Sequence, residues 1–301
     1  ANQIAGTLSD GWRSAYTFTT ATDGIYHYAT RVFDRAGNLF VSGGASGTIF
    51  RVAPAGGAAQ AVAQIEKSSR TLPDGSFNRF FIQRLKDKAG NRSNAGSEVE
   101  YSGTMAIRVG EEGRGLREIL SHSHLTRLDF AVGSAGLMRQ MLTLALNHTT
   151  TRGAFGSSLA RRPMMANVLA DLALESEAAT VLAMRIARAV DRAGSDPAEA
   201  ALARLGTALG KYWICKRAPA FVNEAQECLG GAGYVEESML PRLYRQAPLN
   251  SIWEGSGNIQ CLDVLRALSR EPQVVPVLDA ELDGVAGRDG MFDAALQALR
   301  S

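Results

Sequence analysis

The stretch GSDP at residues 194–197 separates two long segments, about 164–193 and 197–229, in which apolar residues recur at helical spacing. Asp196 suits the N-cap of the second helix, because its carboxylate can accept hydrogen bonds from the free N–H groups of the first turn. Pro197 suits the first helical position, where its missing N–H costs nothing. A loop this short between two long helices predicts that they pack side by side and antiparallel.

The same helical spacing recurs on both sides of this pair. A pattern of about thirty residues begins near Gly113 and ends at a turn over 153–163. Another pattern covers about 257–268, and Pro272 and Pro276 separate it from a last helix near the C-terminus. Long amphipathic helices joined by short loops predict an antiparallel helical bundle.

The N-terminal third has a different pattern, rich in Thr, Ser, Gly and aromatic residues. Short runs of alternating apolar and polar residues are separated by turn signals that contain glycine. These runs predict strands at 16–19, 25–32, 39–42 and 48–52. The predicted fold class is therefore α+β, with an N-terminal antiparallel β portion followed by the antiparallel helical bundle.

Charge and hydropathy exclude several classes of protein. The net charge of +2 does not by itself indicate a polyanionic partner. No stretch approaches the roughly 18–20 apolar residues that a helix needs to cross a bilayer. The first residues also lack the basic-then-apolar order of a signal peptide. We expect a cytoplasmic protein with no membrane partner.

Cysteine and histidine positions give no sign of a metal site. The cysteines are odd in number and no Cys-x-x-Cys occurs, so we expect reduced, buried thiols rather than disulfides or zinc ligands. The histidines of the helical part have no carboxylates at metal-ligand spacing. The residues concerned are Cys215, Cys228, Cys261, His122, His124 and His148.

Glu254 is the best candidate for a catalytic base. It stands between Trp253 and the run GSGN at 255–258, just before a predicted helix. Such surroundings would partly desolvate the carboxylate and raise its pKa towards the range useful for a base. Ser256 and Asn258 can donate hydrogen bonds, and free N–H groups at a helix start suit an anion. The alternative is an ordinary helix start at which Glu254 only complements the helix dipole.

Two further motifs suit the binding of phosphates. The glycines of 230–233 follow Glu227 and allow a cofactor to approach the backbone, or they form an ordinary helix stop. They do not form a Gly-x-Gly-x-x-Gly after a strand, so a Rossmann site is not supported. In 152–156, Arg152 can pair with a pyrophosphate and Phe155 can pack on a ring. Alternatively, the arginine complements a helix C-terminus.

Arg127 and Asp129 lie early in the first long helix, where a solvated charged pair is the simpler interpretation. The order of all these motifs nevertheless resembles the acyl-CoA dehydrogenase superfamily: Arg-x-x-Phe-Gly, a long helix pair, Leu-Gly-Gly-x-Gly-Tyr, Pro-x-x-Arg-x-x-Arg and an aromatic-Glu-Gly. The segments 85–95, 211–217 and 240–258 look more specifically like its AidB-like, alkylation-response branch. The resemblance covers about 72–268.

The resemblance implies FAD as cofactor and an acyl-CoA thioester as substrate. Glu254 matches the base that removes the α-proton while a hydride from the β-carbon goes to the flavin. The family's flavin site lies between subunits, which implies a homo-oligomer, a dimer or a tetramer. The residues that the resemblance assigns to cofactor binding are Arg152, Phe155, Gly156, Glu227, Gly230, Gly231, Ile252, Gly255, Ser256 and Asn258. Those that it assigns to the lining of the site are Arg127, Asp129, Trp253 and Arg266.

The resemblance also leaves alternatives open. The AidB-like branch suggests a flavoprotein that binds double-stranded DNA and has little dehydrogenase activity, and an inactive fused remnant is a third possibility. Many dehydrogenases carry Gln in place of Glu227, whose charge would repel a phosphate. Residues 1–67 instead resemble a single NHL-type propeller blade, and 23–28 also fit the edge of a bacterial immunoglobulin-like strand pair. We therefore predict a β-rich segment at 1–67, a remnant of the family's middle β domain at 68–110 and the helical bundle at 111–301.

Overall fold

A computed structural model of the chain describes residues 72, 74–106 and 114–300, together with the backbone of six strands before residue 62. The chain forms two units, Ala1–His122 and Ser123–Ser301, and the boundary falls inside the first helix. The α+β class predicted from the sequence is confirmed. The predicted division of the first 110 residues at residue 67 stays a prediction.

The six N-terminal strands form one antiparallel sheet in sequential order. The four predicted strands are confirmed within a few residues, whereas the first and last were not predicted. The turn residues predicted between strands lie almost entirely outside the described residues. The strands are β1 (Asn2–Thr7), β2 (Arg13–Thr20), β3 (Tyr26–Phe33), β4 (Leu39–Gly43), β5 (Thr48–Val52) and β6 (Gln60–Ala61).

A separate hairpin follows, made of β7 (Phe80–Leu85) and β8 (Ser97–Tyr101). Its connecting loop is closed by Lys88, whose Nζ donates to the carbonyl of Asn91 at 2.7 Å and to that of Asn94. Burial lowers the pKa of Lys88, and the positive charge of Lys86 adds to the shift. The loop therefore has a defined shape.

The helical unit contains three long helices and several short ones. Asp196 caps the third as predicted, since its Oδ1 accepts from the N–H of Ala198 at 2.9 Å. Pro276 does not separate two helices as predicted; it lies in the first turn of a helix, where its missing N–H breaks no bond. The elements are α1 (Gly115–Thr151), β9 (Gly153–Ala154), β10 (Ser157–Ser158), α2 (Pro163–Arg192), α3 (Pro197–Glu227), α4 (Gly231–Tyr234), α5 (Leu240–Gln246), α6 (Gly257–Arg270), α7 (Val274–Asp283) and α8 (Gly290–Arg300).

The main core lies between α1, α2 and α3 and contains many small side chains. On α1 five of its buried members are separated by four and three residues in turn, which keeps one face of the helix inward: Ala131, Ala135, Met138, Leu142 and Ala145. Met141 is buried beside them. A second cluster joins the first half of α3 to α6 and α7 through Ala201, Leu205, Ala267 and Val274. The small side chains of Ala201 and Ala267 let the helices approach closely.

The predicted burial of the cysteines holds for two of them. Cys215 and Cys228 are buried, but Cys261 is exposed. The buried positions of α6 are Gln260 and Ala267, seven residues apart, so Cys261 lies one position off the inward face. No helix of the described residues is long and apolar enough to cross a membrane, and these residues contain no cluster of three or more metal-ligating side chains.

Candidate active site

The loop before α6 has an unusual backbone. Glu254 has φ 55° and Gly255 has φ 101°, both in the left-handed region. Glycine is required at 255, since an added Cβ would lie 2.7 Å from the Nε2 of Gln260. A non-glycine residue in this conformation costs on the order of 1–2 kcal/mol. The surroundings must therefore hold Glu254 in place.

Three side chains from three different helices donate to the carbonyls of residues 253–255. Lys211 of α3 places its Nζ 2.7 Å from the first carbonyl oxygen and also donates to the third. Arg127 of α1 donates from Nε to the middle carbonyl at 3.0 Å. Gln260 of α6 donates from Nε2 to the third at 3.0 Å. The loop is thus held by directional bonds along its whole length.

Trp253 anchors the loop to α1. Its ring stacks on Phe130, with centroids 4.6 Å apart and an interplanar angle of 23°. Its Nε1 donates to the Oδ1 of Asn250 at 3.1 Å, and the Nδ2 of Asn250 donates to the Oγ of Ser134 at 3.0 Å. The indole therefore packs against the bundle.

Glu254 itself is exposed, so the desolvation predicted from its neighbours is wrong for this chain alone. The physical reason is that the ring of Trp253 is engaged with Phe130 rather than covering the carboxylate. Within the described residues the carboxylate makes no hydrogen bond or ion pair. The carboxylate is therefore accessible to a ligand that binds beside the loop.

A partly buried charge network lies behind the loop. Arg127 pairs with Asp263 at 2.8 Å, and each side chain is only 14% exposed. Asp263 also accepts from Arg204 at 2.9 Å, and Arg204 reaches Glu271 at 3.1 Å. The interpretation of Arg127 as half of a solvated pair is therefore wrong, because its partner comes from α6.

The remaining residues predicted to line the site are on the surface. Asp129 is exposed on α1 and Arg266 is exposed on α6. Ile252 is exposed, and so are Ser256 and Asn258. Ile252, Ser256 and Asn258 lie within four residues of Glu254, at the start of α6.

His124 belongs to the same network. Burial lowers its pKa, and the charges of Arg204 and Arg127 lower it further. Asp263 and a hydrogen bond with the backbone of Ala203 oppose that shift without reversing it. The folded state therefore favours a neutral imidazole.

The start of α6 fits a negatively charged ligand. Ser256 is the N-cap, with φ −63° and ψ 174°, and its side chain makes no capping hydrogen bond. The first N–H groups of a helix that lack such a cap suit an anion. Gly257 packs against Tyr212, since an added Cβ would lie 3.1 Å from that ring.

The second group of predicted residues lies beyond the end of α1. Phe155 is at the tip of the hairpin β9–β10, with φ 54° and 89% of its side chain exposed. The guanidinium of Arg162 lies 5.8 Å from the centre of its ring and donates to the carbonyl of Ala154 at 3.3 Å. Arg152 and Gly156 are exposed as well. The hairpin thus presents an aromatic and a basic side chain to solvent.

The glycine segment after α3 is also open. Gly230 has φ 61°, and a Cβ added at Gly230 or Gly231 would meet nothing within 4 Å. Gly233, by contrast, is required by packing, because its Cβ would lie 2.3 Å from the carbonyl oxygen of Gln226. Glu227 is exposed and accepts from the Nδ2 of Asn223 at 2.7 Å. The two exposed glycines leave room for a ligand close to the backbone.

The two groups lie far apart within one chain. Arg127, which contacts the Glu254 loop, and Arg152 are separated by the last seven turns of α1, about 37 Å at 1.5 Å per residue. Lys211 and Gly230 are separated by about 28 Å along α3. The structure therefore forms two half-sites. The first contains Glu254, Trp253, Ile252, Gly255, Ser256, Asn258 and Arg127, and the second contains Arg152, Phe155, Gly156, Glu227, Gly230 and Gly231.

Sequence reasoning assigned no role to the supporting side chains Lys211, Gln260 and Asp263. A signal existed for the lysine, because Lys211 occupies the inward register of α3 with Ala208, Cys215 and Ala218. Its partners lie more than forty residues away along the chain, so no local pattern could identify them.

Comparisons with known proteins show what the chain is similar to. Residues 113–269 match the family model described as acyl-CoA dehydrogenase, C-terminal domain. The chain is 50% identical over 231 residues to AidB of Escherichia coli (strain K12), covering 77% of this chain and 42% of that protein. It is 33% identical over 226 residues to acyl-CoA dehydrogenase family member 11 of Caenorhabditis elegans, covering 74% of this chain and 37% of that one.

A solved structure shows the same similarity. Caenorhabditis elegans ACDH-11, in complex with C11-CoA, matches with a TM-score of 0.69 at 27% identity, over 99% of this chain and 49% of that chain. The chain spans about two-fifths of the length of the two curated relatives named above.

Replacement of Asp263 tests the buried network. We expect Asp263→Ala to lower the free energy of unfolding by about 3 kcal/mol, because two arginines lose a buried partner. Asp279→Ala removes a half-exposed ion pair with Arg300 and should cost much less, because solvent screens such a pair. Urea unfolding followed by circular dichroism measures both, and equal losses would contradict the prediction.

His124 should make stability depend on pH. Because its folded-state pKa lies below the unfolded value of 6.5, the unfolded chain binds the proton first as the pH falls. The contribution is complete above pH 6.5 and is lost as the pH drops towards the folded pKa. When the pH is lowered below 6.5, we expect the urea concentration at the unfolding midpoint to decrease for the wild type. For His124→Gln we expect a smaller decrease. Parallel pH curves for the two proteins would exclude His124 as the cause.

Proposed function

The chain belongs to the acyl-CoA dehydrogenase family, and from that premise we propose that it carries the catalytic base of a flavin-dependent oxidoreductase acting on acyl-CoA thioesters. The observation that carries the proposal is Glu254, whose exposed carboxylate stands on a rigid left-handed loop beside the open start of α6. Members of this family are flavoproteins that use FAD.

In the proposed reaction a carboxylate oxygen of Glu254 takes the proton from the α-carbon of the thioester. Bound FAD supplies the acceptor for the hydride that leaves the β-carbon, so the product is the α,β-unsaturated thioester. The free N–H groups at the start of α6 favour negative charge next to the base.

The two half-sites support a homo-oligomer. Arg127, which holds the Glu254 loop, and Arg152 are separated by about 37 Å along α1, so the two half-sites of one chain lie far apart. We propose that one copy supplies the Glu254 end of each flavin site and a second copy supplies the Arg152 and Gly230 end. The charge of Glu227 is the feature of the second half-site that disfavours a phosphate, and its bond to Asn223 partly offsets it.

An exposed apolar face on α2 gives the second copy a surface to cover. Leu174, Val181 and Met184 are all largely exposed, and their spacing places them on one side of the helix. A group of this kind is typical of a protein–protein interface. The DNA-binding alternative has no such support in the described residues or in the relatives named above, so we do not propose it.

Flavin binding and the base can be tested in one series. The purified chain, incubated with FAD and desalted, is expected to keep flavin absorbance. With saturated acyl-CoA substrates of short, medium and long chain, Glu254→Gln should lower the rate of dye reduction about 100-fold or more at unchanged flavin content. Glu237→Gln, at an exposed glutamate away from the loop, is the matched control. A chain that retains no flavin, or equal rates for Glu254→Gln and wild type, would contradict the proposal.

Light scattering tests the assembly. We expect a dimer or a tetramer for the wild type and a smaller species for Val181→Glu, because a charge on an apolar interface is costly. Leu299→Glu, at an exposed leucine of α8, should leave the mass unchanged. A monomeric wild type would overturn the arrangement.

A further inference from the structure

Lys211 is the largest fully buried side chain in the part of the chain that the structure describes, with 1% of its surface exposed. Lysine is almost never buried to this degree unless it is paired. Within the described residues it forms no ion pair; its Nζ donates to the carbonyls of Trp253 and Gly255 and lies 5.9 Å from the centre of the Phe130 ring. The buried ammonium group of Lys211 is thus hydrogen-bonded to two backbone carbonyl oxygens.

These two oxygens flank Glu254, and their joint contact with one ammonium constrains the residue between them. Two acceptors of one Nζ lie no more than about 5.5 Å apart, since each bond is about 2.7 Å. In an extended chain the equivalent oxygens are spaced by about 6.6 Å. The left-handed turn at Glu254 and Gly255 brings them together. The contact of Lys211 with both oxygens therefore excludes an extended segment and favours the turn that the loop adopts.

The cost of burying Lys211 argues that it has a role other than stability. Burial lowers the pKa of its ammonium; the Cys215 thiol and the Glu254 carboxylate oppose that shift, and Arg127 adds to it. An apolar side chain of similar shape at a buried charged position is often neutral or stabilising. A methionine would therefore fill the space on α3 without the desolvation penalty. What it would lose is the tie to the loop.

We propose that Lys211 is a positioning residue for Glu254, tying together the carbonyls on either side of it and so holding the conformation from which the carboxylate projects. This inference rests on the proposed function of Glu254. Arg127 and Gln260 also donate to the loop, but the carbonyl of Trp253 accepts only from Lys211 among the described residues. Lys211 is therefore the donor whose removal releases the loop.

The first test needs neither cofactor nor substrate. Amide hydrogen exchange of the full chain is measured over 250–256, where the N–H groups of Ile252 and Trp253 bond to the carbonyl of Leu249. Lys211→Met should exchange about tenfold faster in this segment, as expected for the loss of a hydrogen bond. Protection in the cores of α1 and α3 should stay as in the wild type.

Two further variants make the exchange test decisive. Lys216→Met, at an exposed lysine of the same helix, should behave as the wild type. Lys211→Gln keeps one N–H donor group and should exchange at a rate between the wild type and Lys211→Met. If Lys211→Met does not fold, the glutamine variant takes its place. Wild-type exchange over 250–256 in a folded Lys211 variant overturns the inference.

The second test uses the FAD-loaded protein with octanoyl-CoA and a reducible dye. Lys211→Met should lower kcat about tenfold or more, because a carboxylate displaced from its productive position removes the proton more slowly. KM should change less than about threefold and flavin content should stay constant. A kcat equal to that of Lys216→Met, despite faster exchange, would overturn the positioning role. Equal rates for Glu254→Gln and wild type would instead refute the proposed function, and the exchange result would still stand.

Discussion

The shape of the Glu254 loop depends on the three side-chain donors that converge on its carbonyls. Lys211, Arg127 and Gln260 come from α3, α1 and α6, so the loop has this shape only when those helices are packed as they are. Small residues on the inward face of α1 and at the contact of α3 with α6 allow that packing. The Glu254 carboxylate is exposed and its backbone is strained, whereas Lys211 and Gln260, which donate hydrogen bonds to the loop, are buried.

The same helices share charges that apolar packing would not need. Asp263 joins Arg127 to Arg204 in a setting only 14% exposed, where desolvation offsets much of the attraction between opposite charges. Such groups add little stability compared with apolar residues of the same size. They do fix orientation, because a bidentate or forked hydrogen bond tolerates little rotation. The buried polar groups at this end of the bundle therefore serve to fix the orientation of the helices.

A feature could be predicted from the sequence when the residues that determine it lie close together along the chain. The long helices and the cap at Asp196 depend on neighbours within one or two turns, and the structure confirms them. Two predictions on helices were wrong: Pro276 lies in the first turn of α7 rather than between helices, and Cys261 lies one position from the inward face of α6. The partners of Arg127 and Lys211 are remote in sequence, so only tertiary packing identifies them.

The exposure of Glu254 follows from the same division of roles. Three helices hold the carbonyls of residues 253–255, yet none of them covers the carboxylate, which is exposed. The exposed Phe155 hairpin and the open glycines at the other end of the bundle are likewise uncovered. Under the proposed function, each half-site supplies what the other lacks. One chain therefore orients the base, and a second copy and the bound ligands exclude the water around it.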